Sequence, residues 1–166
     1  MPMSRFYGYR DKVVFPKVVQ AEEGFYFDTD PVTICDTTDG GRLRELVYTS
    51  LQSDNPVVAT PERSEEHNPG SPLLEALQLK RWQRFEAEAS MYSIYLNSDK
   101  LDYYCSGNAV NGHWRNDQMR HMTLDPSAGL DPLVEYILAD LKADMLARRT
   151  SSQTLPTLLL PPPSSP

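Results

Sequence analysis

A chain of 166 residues with 40% apolar content is long enough to bury one core and short enough to be one domain. Its formal charge of −7 and pI near 4.9 disfavour nucleic acid and anionic lipid as direct partners, which carry the same sign of charge, and favour a basic protein. The two cysteines, Cys35 and Cys105, lack CxxC spacing and indicate neither a disulfide framework nor a zinc ribbon.

The opening residues MPMSRFYGYRDKVV lack the uninterrupted apolar run of a signal peptide, and no later stretch has the length of a membrane span, so the cytoplasm is the expected compartment. VVFPKVV, residues 13–19, and GFYFDTDPVTIC, residues 24–35, are β-branched and aromatic and read as two strands paired across the turn at residues 20–24. Pro16 and Pro31 each remove a ladder donor, which predicts an edge position for the first strand and an edge or interrupted strand for the second. Asp39 is placed to cap a helix in which Leu43, Leu46, Val47 and Leu51 recur at helical spacing. That helix is expected to end near Ser53, before the Asp54-Asn55-Pro56 turn, and a Pro/Glu/Ser-rich loop follows over residues 60–70.

Ser71-Pro72 predicts a second helix start, with Ser71 as the cap. The apolar register shifts between Leu77 and the Trp82, Phe85 and Ala89 set, which predicts a break near Leu79 and a separate short helix carrying Trp82 inward. MYSIYL, residues 91–96, alternates with period two, and with LDYYCS, residues 101–106, forms a predicted hairpin across Asn97-Ser98-Asp99. A third strand is expected around residues 112–114. Asp131 as cap, Pro132 in the first turn and the stripe Val134, Ile137, Leu138, Leu141 and Met145 predict a closing helix. The fold class expected is therefore α+β: a single domain over residues 1–149, with a small, mainly antiparallel sheet packed against three or four helices. A Pro/Leu/Ser-rich tail over residues 150–166 is expected to stay extended and solvated.

No nucleophile elbow, Walker loop or dinucleotide fingerprint is present, and the HWRNDQMRH stretch lacks the i, i+4 histidine spacing of a metal helix. The expectation is a non-enzymatic protein with no cofactor and no metal site. The alternative is a small hydrolase or nucleotide-modifying enzyme using His113, Asp117 and His121; an adaptor acting through the proline-rich tail is a third reading. Nine acidic and three basic residues between Asp28 and Glu66 hold −6 of the chain's −7 charge. Asp28, Asp30, Asp36, Asp39, Glu62, Glu65 and Glu66 are therefore the candidate partner-binding residues, chosen on charge alone. Read as local structure, Asp36 and Asp39 are capping and turn residues, while Asp28 and Asp30 are solvated at a strand edge.

The strings GFYFDTDPV, SPLLEALQLKRWQRFEAEASMYSIYL and PLVEYILADLKADM, taken together over residues 20–146, resemble the layout of immunity proteins of bacterial contact-dependent growth inhibition systems. That resemblance implies a stoichiometric inhibitor that binds the toxic C-terminal domain of its cognate effector as a one-to-one complex. It further implies a toxin that is basic and often a nuclease, covered sterically and electrostatically without catalysis. The layout fixes no toxin-contacting residue, because cognate pairs must discriminate their own partner.

Overall fold

The structure is a computed structural model that describes residues 3–61, 70–97, 99–106, 114 and 117–153. Its sheet is organised around β1 (Met3–Tyr9), a strand outside the sequence-based expectation. β1 turns at Arg10, which adopts a left-handed φ of 53°, into β2 (Lys12–Ala21) and also pairs antiparallel along its whole length with β5 (Ala89–Leu96). Phe6 points into the core on one face while Tyr7 and Tyr9 point into the core on the other. A strand buried on both faces shows no polar alternation, which is why MSRFYGY carries no clear strand period.

β2 continues through a tight turn into β3 (Tyr26–Asp36), and the two pair antiparallel as expected. Of these two strands only β3 lies at an edge of the sheet. β2 lies between β3 and β1, and its proline is accommodated by a register shift between Pro16 and Lys17: Pro16 faces Val32 while Lys17 faces Thr29. The missing amide thus falls where the ladder is already interrupted, and this overturns the edge assignment for residues 13–19. α1 (Gly40–Gln52) follows, with Arg42 N donating to Asp39 Oδ1 at 3.0 Å as the predicted cap.

The turn after α1 has a structural role that spacing does not reveal. Asn55 Nδ2 donates to Met3 O at 2.9 Å and to Val18 O at 3.0 Å, and Met3 N donates back to Asn55 Oδ1 at 2.6 Å. One amide side chain therefore bridges β1 and β2 where they diverge, satisfying backbone groups that no strand reaches. The short β4 (Val57–Val58) then runs parallel to the end of β2.

α2 (Ser71–Ala76) and α3 (Trp82–Glu88) are separate helices, as the register shift predicts. The cap differs: Gly70 is the N-cap residue, without a side-chain hydrogen bond, and Ser71 is the first helical position. A Cβ on Gly70 would lie 2.3 Å from Cε3 of Trp82, so the indole packs where a side chain would otherwise stand. β5 and β6 (Leu101–Ser106) form the predicted hairpin, and Asn97 N donates to Lys100 O at 2.8 Å in its turn. Residues 112 and 113 of the expected third strand lie outside the described residues, and Trp114 is not in a strand. The strand that pairs with β6 is β7 (Met122–Leu124), giving the order β3-β2-β1-β5-β6-β7.

α4 (Asp131–Gln153) closes the fold and runs through residues 150–153, which the sequence reading gave to the tail; residues 154–166 lie outside the described residues. Asp131 is its first residue and not its cap. The Asp131 carboxylate accepts from Arg44 Nη2 at 3.2 Å and from the Tyr48 hydroxyl, which ties α4 to α1. α1 and α4 cover one face of the sheet over a core that includes Phe6, Phe15, Leu43, Val47, Tyr92, Tyr103 and Ile137. α2 and α3 cover part of the other face over Tyr7, Tyr9, Val14, Leu73 and Phe85. The α+β class is thus observed, with a mainly antiparallel sheet and, among the described residues, four α-helices placed on both faces.

Candidate functional site

Three of the candidate carboxylates lie on or beside the edge strand. Asp30 and Asp36 are exposed on β3, and exposed Asp39 follows at the start of α1. Asp36 is paired with Lys12 across the β2–β3 ladder, and Asp39 accepts the Arg42 amide, so their turn and capping roles hold. Glu62, Glu65 and Glu66 lie outside the described residues.

Asp28 departs from the sequence reading. It is only 6% exposed, and its carboxylate accepts from Arg5 Nη1 at 3.1 Å and from the Tyr7 hydroxyl. Its strand-edge solvation is therefore overturned, and so is its place among surface contacts, because β1 supplies it with a partner 23 residues back in the chain. Burial pushes the Asp28 carboxyl above its usual range, against the Arg5 charge and the Tyr7 hydrogen bond, which pull it down. Burial, and then Asp28 itself, raises the Tyr7 phenol well above its ordinary value, so Tyr7 stays a donor.

This Arg–Asp–Tyr group forms the floor of a pocket of about 370 Å3 on the α2/α3 side of the sheet. Trp82 from α3 and Trp114 form its aromatic wall, meeting edge to face with ring centroids 5.6 Å apart and planes at 89°. Tyr7 lies 5.5 Å from Trp114, whose Nε1 donates to Ala89 O at 3.0 Å and so fixes the ring. Phe27 and Met91 complete the apolar lining. Among the described residues, buried Arg5 Nε has no hydrogen-bond partner. The signals for this site were two isolated tryptophans and an arginine between Ser4 and Phe6, and no fixed spacing links them.

A second polar group lies beneath α4. Arg120 Nε and Nη2 each donate to Asp140 at 2.9 Å, and Nη1 donates to Asp144 at 3.1 Å. Ser90 and Tyr92 from β5 also donate to Asp144, and Tyr103 from β6 donates to Asp140. This network joins the 3-10 turn at Gln118–Arg120 to the sheet and α4, which gives it a positioning role. Beside it, burial pushes the Cys105 thiol up to about 12, with Arg120 pulling down and Asp140 and Asp144 pushing up. Cys105 in the native protein is therefore expected to resist a disulfide reagent at pH 8 and to react once the chain is unfolded, because the thiolate is the nucleophile. Labelling at the rate of an unfolded thiol would contradict its packing.

The residues of the enzymatic alternative are not brought together where they can be described. Asp117 accepts from Met119 N at 2.9 Å as the cap of the 3-10 turn. His121 instead stacks on Tyr104, centroids 4.4 Å apart and 7° from parallel, with Asp102 Oδ1 at 3.5 Å; His113 lies outside the described residues. Among the described residues, no group of three or more His, Cys, Asp or Glu side chains is placed to hold a metal ion, and no helix is long and apolar enough to cross a membrane.

The architecture defines a class, a helix-flanked antiparallel α+β domain. No protein-family model matches the chain, and no curated protein matches it. Among solved structures it is similar to a protein of unknown function from Neisseria meningitidis, with a TM-score of 0.53 and 13% identity, over 90% of this chain and 93% of that one. At that identity the likeness concerns the fold.

Proposed function

We propose that this chain is an immunity-type binding protein: it neutralises the basic toxin domain of a contact-dependent growth inhibition effector, in the cytoplasm, as a one-to-one complex and without catalysis. The observation that carries this reading is the acidic edge. β3 is the outer strand at one side of the sheet, Asp30 and Asp36 are exposed along it, and Asp39 continues the negative charge to the start of α1. An edge strand offers backbone groups to a partner, and carboxylates beside it select a basic partner over an acidic one. A nuclease toxin with a basic substrate groove fits that surface. The family resemblance in the layout of residues 20–146 supports the same reading.

The test is electrostatic. Reversing charge with Asp30→Lys and Asp36→Lys is expected to lower the association rate with the toxin domain roughly tenfold at low salt, with the difference shrinking as salt rises. The unfolding temperature should fall only modestly: both positions are exposed, although Asp36→Lys replaces the Lys12 ion pair with a like-charge pair across the ladder. Asp39 is left intact in this variant because its cap supports α1. Stopped-flow association rates that are unchanged at all salt concentrations would remove β3 from the interface.

A further inference from the structure

Resting on the toxin-binding reading, we propose which part of the partner docks and how: an extended segment of the toxin domain adds to β3 as a further strand along residues 32–36, with an apolar residue beside Ile34 and cations at its two ends. The backbone sets the docking line. Thr37 N donates to Asp11 O at 3.0 Å, which makes those two residues a hydrogen-bonded pair. Such pairs alternate along an antiparallel ladder, so the next ones are Val13 with Cys35 and Phe15 with Thr33. The N–H and C=O groups of Asp36, Ile34 and Val32 therefore point away from β2. The β1–β2 hairpin agrees, since its turn at Arg10 and Asp11 directs Lys12 and Val14 toward β1 and leaves Val13 and Phe15 for β3. Asp36 O accepts from Asp39 N at 3.1 Å. Among the described residues, no strand lies outside β3, so the Asp36 N–H and both backbone groups of Ile34 and Val32 are left for an added strand.

Charge and register choose the occupant. Ile34 at the centre of the stretch is 37% exposed, and exposed Asp30 and Asp36 close its two ends. A second copy of this chain fits poorly. Antiparallel self-pairing that sets Val32 against Ile34 also sets Asp30 against Asp36 at both ends, and parallel self-pairing sets each aspartate beside its like. Each chain moreover carries −7 overall. A segment with cations at both ends turns the same positions into attractive pairs. Lys12 already pairs with Asp36, but both side chains are exposed and a carboxylate has about four acceptor sites, so a partner cation can share it. The strand at the opposite edge, β7, spans only three residues and offers a much shorter line.

Amide hydrogen exchange, read residue by residue on the full chain alone and with a candidate toxin domain from a neighbouring gene, tests this. The Val32, Ile34 and Asp36 amides are expected to exchange at least roughly tenfold more slowly in the complex. Thr33 and Cys35, whose N–H groups already face β2, should change far less. Ile34→Pro removes an outward N–H and no donor of the β2–β3 ladder. It is expected to weaken the complex at least roughly tenfold, about one hydrogen bond together with the obstruction of the ring. Should that variant fail to fold, the exchange measurement on the unaltered chain decides alone. A complex in which the Val32 and Ile34 amides exchange as in the free chain overturns strand addition and leaves toxin binding standing. Slowing shared equally by Thr33 and Cys35 also overturns it, as does a folded Ile34→Pro chain with full affinity. Absence of any complex overturns both readings.

Discussion

Replacing Asp28 by alanine is expected to lower stability by about 3–5 kcal/mol in urea unfolding, because it strands the Arg5 guanidinium in a site where Asp28 is its recorded ion-pair partner. The sign of the pH dependence follows from the raised Asp28 value. Burial disfavours the carboxylate in the folded state, so this group's contribution is greatest below the ordinary aspartate range and falls as pH rises through the raised folded value. The pair is thus a poor net stabiliser although breaking it is costly. The double change Arg5→Met with Asp28→Leu is expected to recover part of the single-variant loss, as apolar groups of similar size replace both charges while the buried Tyr7 hydroxyl still lacks Asp28. A double variant as unstable as Asp28→Ala would show that the pair itself, and not the stranded charge, dominates.

Phe85→Ala is the second large effect, expected at about 3–5 kcal/mol. Phe85 has no solvent exposure and is the central ring of the α2/α3 layer, lying 5.3 Å from Tyr7, 5.3 Å from Trp82 and 5.5 Å from Tyr9 between centroids. α3 spans only seven residues and is held by this packing, since so short a helix has little stability of its own. Urea unfolding followed by circular dichroism measures the loss, and near-ultraviolet dichroism is expected to show the tryptophan signals flattened in the folded variant. A loss under about 1 kcal/mol would mean that the layer collapses to fill the cavity.

The elements legible in the sequence are those whose pattern is local. The β5–β6 hairpin shows alternating Tyr92, Ile94 and Leu96 before a polar turn, α1 shows a cap and one apolar stripe, and the gap between α2 and α3 shows as a change of register. β1 was hidden because both its faces are buried, and β7 because three residues carry too little pattern. Pro16 misled because a bulge, which depends on the β3 partner, accommodates a proline inside the sheet.

The same boundary between local and distant information divides the candidate site. Asp36 and Asp39 were read correctly as turn and cap residues, since Asp36 O accepts from Asp39 N and Asp39 Oδ1 accepts from Arg42 N, each three residues apart; the Asp36–Lys12 pair, 24 residues apart, shows in no local pattern. Asp28 was counted as surface charge because its partners, Arg5 and Tyr7, become neighbours only when β1 and β3 flank β2 in the sheet. Trp82 and Trp114 likewise meet only through the fold. Charge counting found the acidic edge but had no means of separating a carboxylate already paired inside from one free to meet a partner.

The most direct test of the immunity reading is co-expression of this chain with a candidate toxin domain from a neighbouring gene, scored by cell survival and then by co-purification. The account predicts survival together with a one-to-one complex that weakens when Asp30 and Asp36 are reversed in charge. Continued killing with no complex would contradict it, and survival without a complex would contradict inhibition by binding.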